Sequence, residues 1–280
     1  MESKITKIKF YKRTGNILAK RWEIKIKKWL EEKHPEIKIT GISPDAIIAL
    51  GGDGTILEAA RKCVAADVLL VGLNLGTVGF LASVYDSEKF FSSLEKIFLG
   101  KYFISERMML DIRTFRNKKT VFETNALNEL AIINPLGMVE TEVFAHDFQL
   151  QKIKGTGVII ATPTGSTALN LSAHGPVVMP ELKAFIITEL LDHNIPTPSM
   201  ILNPDQVITV KIANFRKKHL LKISDSNIPA EVILSADGEI VFSLEIGDKV
   251  EIRQSSHFAK FCELGKYGFL NRLQEKFDFK

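Results

Sequence analysis

Ala46-Ile47-Ile48-Ala49-Leu50-Gly51-Gly52-Asp53-Gly54-Thr55 is an apolar run that stops in a glycine-rich turn carrying one carboxylate. It reads as the end of a buried strand opening onto a site. Three glycines around one acid let the backbone approach a ligand closely. Thr55 is expected to cap a helix running from Ile56 to about Ala65, with its first amides pointing at an anion in the turn. Val68-Leu69-Leu70-Val71-Gly72-Leu73 follows as a second continuously apolar strand. Strand, crossover helix and strand within about 30 residues make a βαβ unit, hence a parallel sheet with its ligand crevice at the strand C-termini. Asn74-Leu75-Gly76-Thr77-Val78-Gly79-Phe80-Leu81 adds two glycines at that same edge.

Upstream, Ile8 and Phe10 alternate with lysines as a half-buried strand does, and Leu18, Trp22, Ile26, Trp29 and Leu30 recur at helical spacing. Ser87 to Leu99 reads as a helix ending at Gly100. From about Ile104 the pattern changes to short strands near 108–113, 121–134, 142–153, 157–161, 206–212, 219–223, 230–235, 239–244 and 248–254. Turns such as Asn117-Lys118, Leu136-Gly137, Asp237-Gly238 and Gly247-Asp248 separate them. Phe269, Leu270, Leu273 and Phe277 mark a final helix. The fold class is therefore an α/β N-terminal domain with a parallel sheet, residues 1–103, and a β-rich, sandwich-like C-terminal domain, residues 104–265.

Composition bounds the function. With 280 residues, 45% hydrophobic and 25% charged, the chain is long enough for two domains, each with its own core. No run approaches the ~18 apolar residues of a membrane span, and the first dozen residues lack a secretory apolar region, so a cytoplasmic protein without membrane association is expected. Cys63 and Cys262 lie in no metal-binding or redox pattern and are expected as core thiols. The net charge of +4 is mild and the basic residues near the start lack interleaved aromatics, which argues against nucleic acid as a partner.

One stretch interrupts the β pattern. Ala161-Thr162-Pro163-Thr164-Gly165-Ser166-Thr167-Ala168-Leu169-Asn170-Leu171-Ser172 leaves a buried strand as a hydroxyl-rich loop that can line a polar ligand. Taken in order, Gly51-Gly52-Asp53-Gly54-Thr55, Asn74-x-Gly-x-x-Gly-Phe-Leu, Asn128-Glu129, Thr162 to Ala168 with Ser172-Ala173-x-Gly175-Pro176, and Asp237-Gly238 resemble the NAD kinases over residues 46–240.

The resemblance implies transfer of the γ-phosphoryl of ATP, or of polyphosphate, to the adenosine ribose 2′-hydroxyl of NAD, with Mg²⁺ accompanying ATP. It also implies a homodimer or homotetramer, and a last helix, 266–280, that returns to the first domain. Asp53 would accept the hydroxyl proton, with Gly52, Gly54 and Thr55 around the phosphates. A carboxylate is too weak a base to ionise a sugar hydroxyl in the ground state, so it would orient the hydroxyl and take the proton as the O–P bond forms. Asn128 and Glu129 would hold adenine and ribose. Thr164, Thr167, Ala168 and Ser172 would line the adenine and phosphate region, Phe80 would close over the nicotinamide side, and Asp237 would reach the site from its turn. No protein ligand to a metal is implied.

Four departures stand out. Gly155-Thr156-Gly157 replaces the family's Gly-Asp-Gly, and Leu169 stands where the family has Tyr, which bears on how Thr156 and Leu169 contact the dinucleotide. The family's proline-rich stretch is here Thr188 to Ser199, without its Arg and with His193 at its His; His174 replaces a family glycine. Two other readings compete: a non-catalytic or altered NAD(P)-binding member, and a related lipid kinase.

Overall fold

In the computed structural model, residues 5–77, 79–193, 197–216 and 230–277 are described. The expected strand at 219–223, and part of the 188–199 stretch, lie outside them. The chain forms two compact units: one runs to Arg107 and resumes at His257, and the other is Met108–Ser256.

The first unit is built on a six-stranded sheet in the order Lys38–Ile39, Lys7–Tyr11, Ala46–Gly51, Leu69–Asn74, Ala259–Glu263, Phe103–Arg107. All neighbours are parallel except the last pair. Ala46–Gly51 and Leu69–Asn74 are buried at every position, which is why both read as unbroken apolar runs. Because Ala259–Glu263 pairs with both Leu69–Asn74 and Phe103–Arg107, the divide between units falls at 107/108 and 256/257, not at 103/104 and 265/266.

Helices Ile17–Lys33, Asp53–Ala66, Phe90–Phe98 and Gly268–Phe277 belong to this unit. The first is capped by the Asn16 side chain, which accepts the Ala19 amide at 2.9 Å. It buries Ala19, Ile26 and Leu30 and sets the edge of Trp22 against Phe90, whereas Leu18, expected on that stripe, is exposed. The core gathers Ile8, Ile48, Leu50, Val71, Leu73, Leu94 and Ile97.

The second unit is two six-stranded antiparallel sheets. One has the order Phe148–Gly155, Val139–Ala145, Ile208–Phe215, Lys249–Gln254, Leu110–Arg116, Lys119–Ala126. The other has the order Met200–Leu202, Phe185–Leu190, Gly157–Ala161, Glu129–Ile133, Val232–Ala236, Glu239–Leu244. Their facing residues, among them Leu110, Ile112, Val143, Val210 and Ile252 with Leu130, Ile132, Val158, Ile160 and Val232, form one core, the expected sandwich.

Gly157–Ala161 is buried on both faces. Val158 and Ile160 enter that core, while Ile159 and Ala161 pack with Val178, Ala131 and Ile186 on the outer side. The stretch expected as one strand at 121–134 is split at Leu127-Asn128, and that at 142–153 at His146-Asp147, where His146 takes a positive φ of 50°.

Candidate functional site

The helix after the glycine turn begins at Asp53, three residues earlier than expected, with Gly52 as its N-cap. Thr55 therefore does not cap it. Its amide donates to the Gly52 carbonyl at 2.9 Å and its side chain is buried against Gly51, since the helix already closes on that carbonyl. Asp53 occupies the first helical position, where a negative charge complements the helix dipole.

The Asp53 carboxylate is held by the second glycine turn. The Phe80 amide donates to Oδ2 at 2.7 Å and the Leu81 amide to Oδ1 at 3.3 Å. Gly79 makes this possible: a Cβ there would stand 2.2 Å from the carboxylate. The carboxylate thus faces a wall of backbone, while the residue remains half-buried, not sealed. Gly54, next to it, is exposed. Phe80 is buried against the last helix, 5.9 Å from the Phe269 ring and 6.2 Å from Phe277, which makes it a packing residue for that helix.

In the second unit three strand ends meet. Glu129–Ile133 begins, Gly157–Ala161 ends and Val232–Ala236 ends at one edge of the sheet, with Ala161 opposite Glu129 and Ala236 opposite Leu130. Asp237 lies in the tight turn after Ala236, at φ 53° with Gly238 at 79°. Its carboxylate accepts the amides of Leu127 (2.9 Å), Asn128 (2.7 Å) and Glu129 (3.3 Å).

Thr162 completes the clamp: its amide donates to the Asn128 carbonyl at 2.8 Å and its hydroxyl to the Leu127 carbonyl at 2.6 Å. Gly165 packs directly on Asn128, whose carbonyl would lie 2.0 Å from a Cβ. The backbone of Asn128 is committed on both sides, which fixes the point from which its side chain leaves the chain.

Glu129 is 5% exposed, and its Oε2 has no hydrogen-bond partner. Burial, then the nearby Asp237 charge, push its carboxyl up to about 8, against a lowering by the Leu169 amide. The Thr164 hydroxyl is likewise buried and unpartnered. Glu129 at the start of its strand and Thr164 in the loop after Thr162 each keep a buried polar atom without a protein partner.

Thr167 donates to the Thr164 carbonyl, Ala168 links the 3₁₀ turn Thr164–Thr167 to the short helix Leu169–Ser172, and Ser172 is exposed. Leu169 exposes its side chain but sends its amide to Glu129, a contact that does not depend on the residue type.

Thr156 is not part of this cluster. It precedes Gly157, at the opposite end of the strand from Thr162, about 20 Å away at the usual rise, and its backbone bonds Asn134 and Leu190. His193 and His174 are exposed, with His174 at φ 60°. Cys63 and Cys262 are buried and not joined in a disulfide, with burial raising Cys63 to about 12. Among the described residues no three His, Cys, Asp or Glu side chains group to hold a metal, and no helix is long and apolar enough to cross a membrane.

Sequence reasoning missed a buried charge cluster in the first unit. The Glu263 carboxylate accepts both terminal nitrogens of Arg272 (2.9 and 3.1 Å) and one of Arg107 (3.0 Å), and Tyr85 packs under the Arg272 guanidinium. Arg272 lies between the apolar positions that mark the final helix, and nothing in the spacing distinguishes it from a solvated residue.

Residues 1–102 match the ATP-NAD kinase N-terminal domain and residues 127–264 the ATP-NAD kinase C-terminal domain. The chain belongs to the NAD kinase family. It is 35% identical over 241 residues to the NAD kinase of Natranaerobius thermophilus, covering 85% of this chain and 79% of that protein. With the NAD kinase of Caldanaerobacter subterraneus it shares 34% over 234 residues, 83% and 78% of the two chains. The yeast NADH kinase complexed with NADH superposes with a TM-score of 0.85 at 20% identity, covering 100% of this chain and 89% of that one. An Archaeoglobus fulgidus NAD kinase in complex with ATP gives 0.72 at 22%, covering 98% and 99%. These likenesses establish the NAD kinase fold.

Proposed function

We infer that the chain phosphorylates NAD at the adenosine ribose 2′-hydroxyl, with ATP or polyphosphate as donor, and releases NADP. The observation that carries this reading is the half-open Asp53 carboxylate, fixed by two amides at the start of a helix inside a glycine turn. It has lone pairs left to accept a hydrogen bond from the sugar hydroxyl and to take its proton as the O–P bond forms. The half-buried Gly52, the exposed Gly54 and the helix start favour the phosphoryl charge. In the second unit, the Asn128 side chain, carried on a clamped backbone, suits adenine, and the unpartnered oxygen of Glu129 and hydroxyl of Thr164 suit the ribose.

Asp237 acts behind them, as the acid that holds Leu127, Asn128 and Glu129 in register. Among the described residues no group of three His, Cys, Asp or Glu side chains includes Asp53, which fits a Mg²⁺ ion that arrives on the triphosphate as part of the substrate better than a resident metal. Such an ion supplies neutralisation of the phosphate charge. The reading includes a cytoplasmic homodimer or homotetramer, which light scattering on the purified chain checks. Neither a lipid kinase nor a non-catalytic binder is favoured by any observation.

The deciding experiment follows NADP formation with ATP or polyphosphate as donor and NAD as acceptor, and NADPH formation with NADH. Turnover in at least one combination is expected, and its loss in Asp53→Asn. No product in all four combinations overturns the reading.

A further inference from the structure

The last helix, Gly268–Phe277, carries Arg272 into the interior at 5% exposure. The guanidinium forks onto Glu263, a carboxylate that Arg107 also uses. A buried cation that shares its anion gains from a further negative charge nearby. Glu263 and, more weakly, Asp53 are anions acting on Arg272, and Arg272 Nε is a buried donor without a hydrogen-bond partner.

The same helix grips the segment that binds Asp53. Phe269 and Phe277 pack on Phe80, Lys276 sits 4.7 Å from the centre of the Phe80 ring, and Arg272 lies 5.7 Å over Tyr85. The Phe80 amide makes the 2.7 Å bond to the Asp53 carboxylate. Gly268 abuts both partners of the fork: a Cβ there would lie 2.8 Å from Glu263 Oε2 and 3.0 Å from Arg272, so the helix start is fitted to the ion pair.

We propose that Arg272 is a positioning residue for the phosphoryl-transfer step: its fork onto Glu263 anchors the helix that packs on residues 80–85, the segment whose amides hold the Asp53 carboxylate. The inference rests on the reading of Asp53 as proton acceptor. It assigns to the C-terminal helix a part in catalysis with no substrate contact.

Arg272→Gln, Arg272→Lys and Asp53→Asn are compared in steady-state NADP formation, with folding followed by circular dichroism. Arg272→Gln is expected to lower kcat by about 10- to 100-fold with KM for NAD within about threefold, the signature of an interaction used mainly in the transition state. Arg272→Lys, which keeps the charge, is expected to recover most of that loss.

Removing one partner of a buried pair can unfold a protein, so Glu263→Gln/Arg272→Met serves as a second variant. The amide oxygen introduced at position 263 still accepts from Arg107, which loses this carboxylate as its counter-charge, no carboxylate is left unpaired, and the fork that anchors the helix is gone. The same kcat loss is expected. Unchanged kcat in a folded Arg272→Gln or in the double variant overturns the proposal, as does Arg272→Lys no better than Arg272→Gln. If Asp53→Asn turns over normally, it is the reading of Asp53 that fails. If it is inactive while the Arg272 variants are fully active, only the present inference fails.

Discussion

Asp53 and Asp237 look alike in sequence: each follows a strand, each is followed by glycine, and each carboxylate turns out to be bound by backbone amides. They differ in how much of the carboxylate is used. Asp237 is 9% exposed and takes three amides, from Leu127, Asn128 and Glu129. Asp53 takes two, from Phe80 and Leu81, and stays half-buried. A carboxylate has about four lone-pair positions. The acid that is nearly saturated and sealed can organise its neighbours but has little left for a substrate, whereas the one with an open side is immobilised and still free to react.

Substituting each acid tests that contrast. Asp53→Asn is expected to lower NADP formation by about 10³-fold or more while NAD affinity, measured by calorimetry, stays within about threefold. If Asp53→Asn keeps more than about a tenth of the turnover, Asp53 has no part in the chemistry. Asp237→Ala is expected to act on stability instead, because three buried amides lose their acceptor at once. Loss of about 3 kcal/mol in denaturant unfolding is anticipated, with KM for NAD rising more than kcat falls. A variant as stable as the parent, with kcat lost, would reverse the roles of the two acids.

Glu129 sharpens the same contrast through pH. Its carboxyl is raised from 4.5 to about 8, by burial first and by the Asp237 charge second. A folded-state value above the unfolded one means the folded protein holds the extra proton, so this contribution to stability is complete below about pH 4.5 and is lost as pH rises through about 8. Between about pH 6 and pH 8 that amounts to about 2 kcal/mol. The pH slope of unfolding should flatten by that amount in Glu129→Gln. A ribose hydroxyl donating to the free oxygen favours the ionised form. NAD binding near neutral pH should therefore release a proton, seen as a buffer-dependent binding enthalpy. Identical slopes for the two proteins, with no proton release, would place Glu129 outside the binding surface.

How far these features could be read in advance follows from what marks them in the chain. Ala46–Gly51 and Leu69–Asn74 were legible because burial on both faces leaves an unbroken apolar run ending in glycines. The turn at His146-Asp147 was not, because it contains neither glycine nor proline and His146 adopts a positive φ without a compositional signal. Phe103–Arg107 is mostly exposed and carries no unbroken apolar run, so the domain boundary is expected inside it, although its pairing with Ala259–Glu263 joins distant parts of the chain. Asp53, Asn128 and Glu129 were found through their motifs, but the partners that fix them were not. Backbone amides at 80, 81 and 127 carry no side-chain signature, and buried charges such as Arg272 and Glu263 look like solvated ones until the fold brings them together.

The smallest expected effect concerns His174, which stands where the family pattern has glycine. It is exposed at the end of the helix Leu169–Ser172 and adopts φ 60°. A side chain in the left-handed region costs on the order of 1 kcal/mol, and glycine avoids that cost at the expense of a larger unfolded-state entropy. The two nearly offset each other, so His174→Gly should stabilise the protein by about 0.5 kcal/mol, read as a small rise in the unfolding midpoint, with kcat and KM unchanged. The loop from Thr162 to Gly175 is anchored independently by Thr162 on Leu127 and by Asn170 on Thr188 and Pro176, so relieving one strained residue at its end should not move Glu129 or Thr164. If the glycine variant is instead destabilised and KM for NAD rises, the imidazole itself holds the loop, and the histidine is a contact in its own right, not a tolerated substitution.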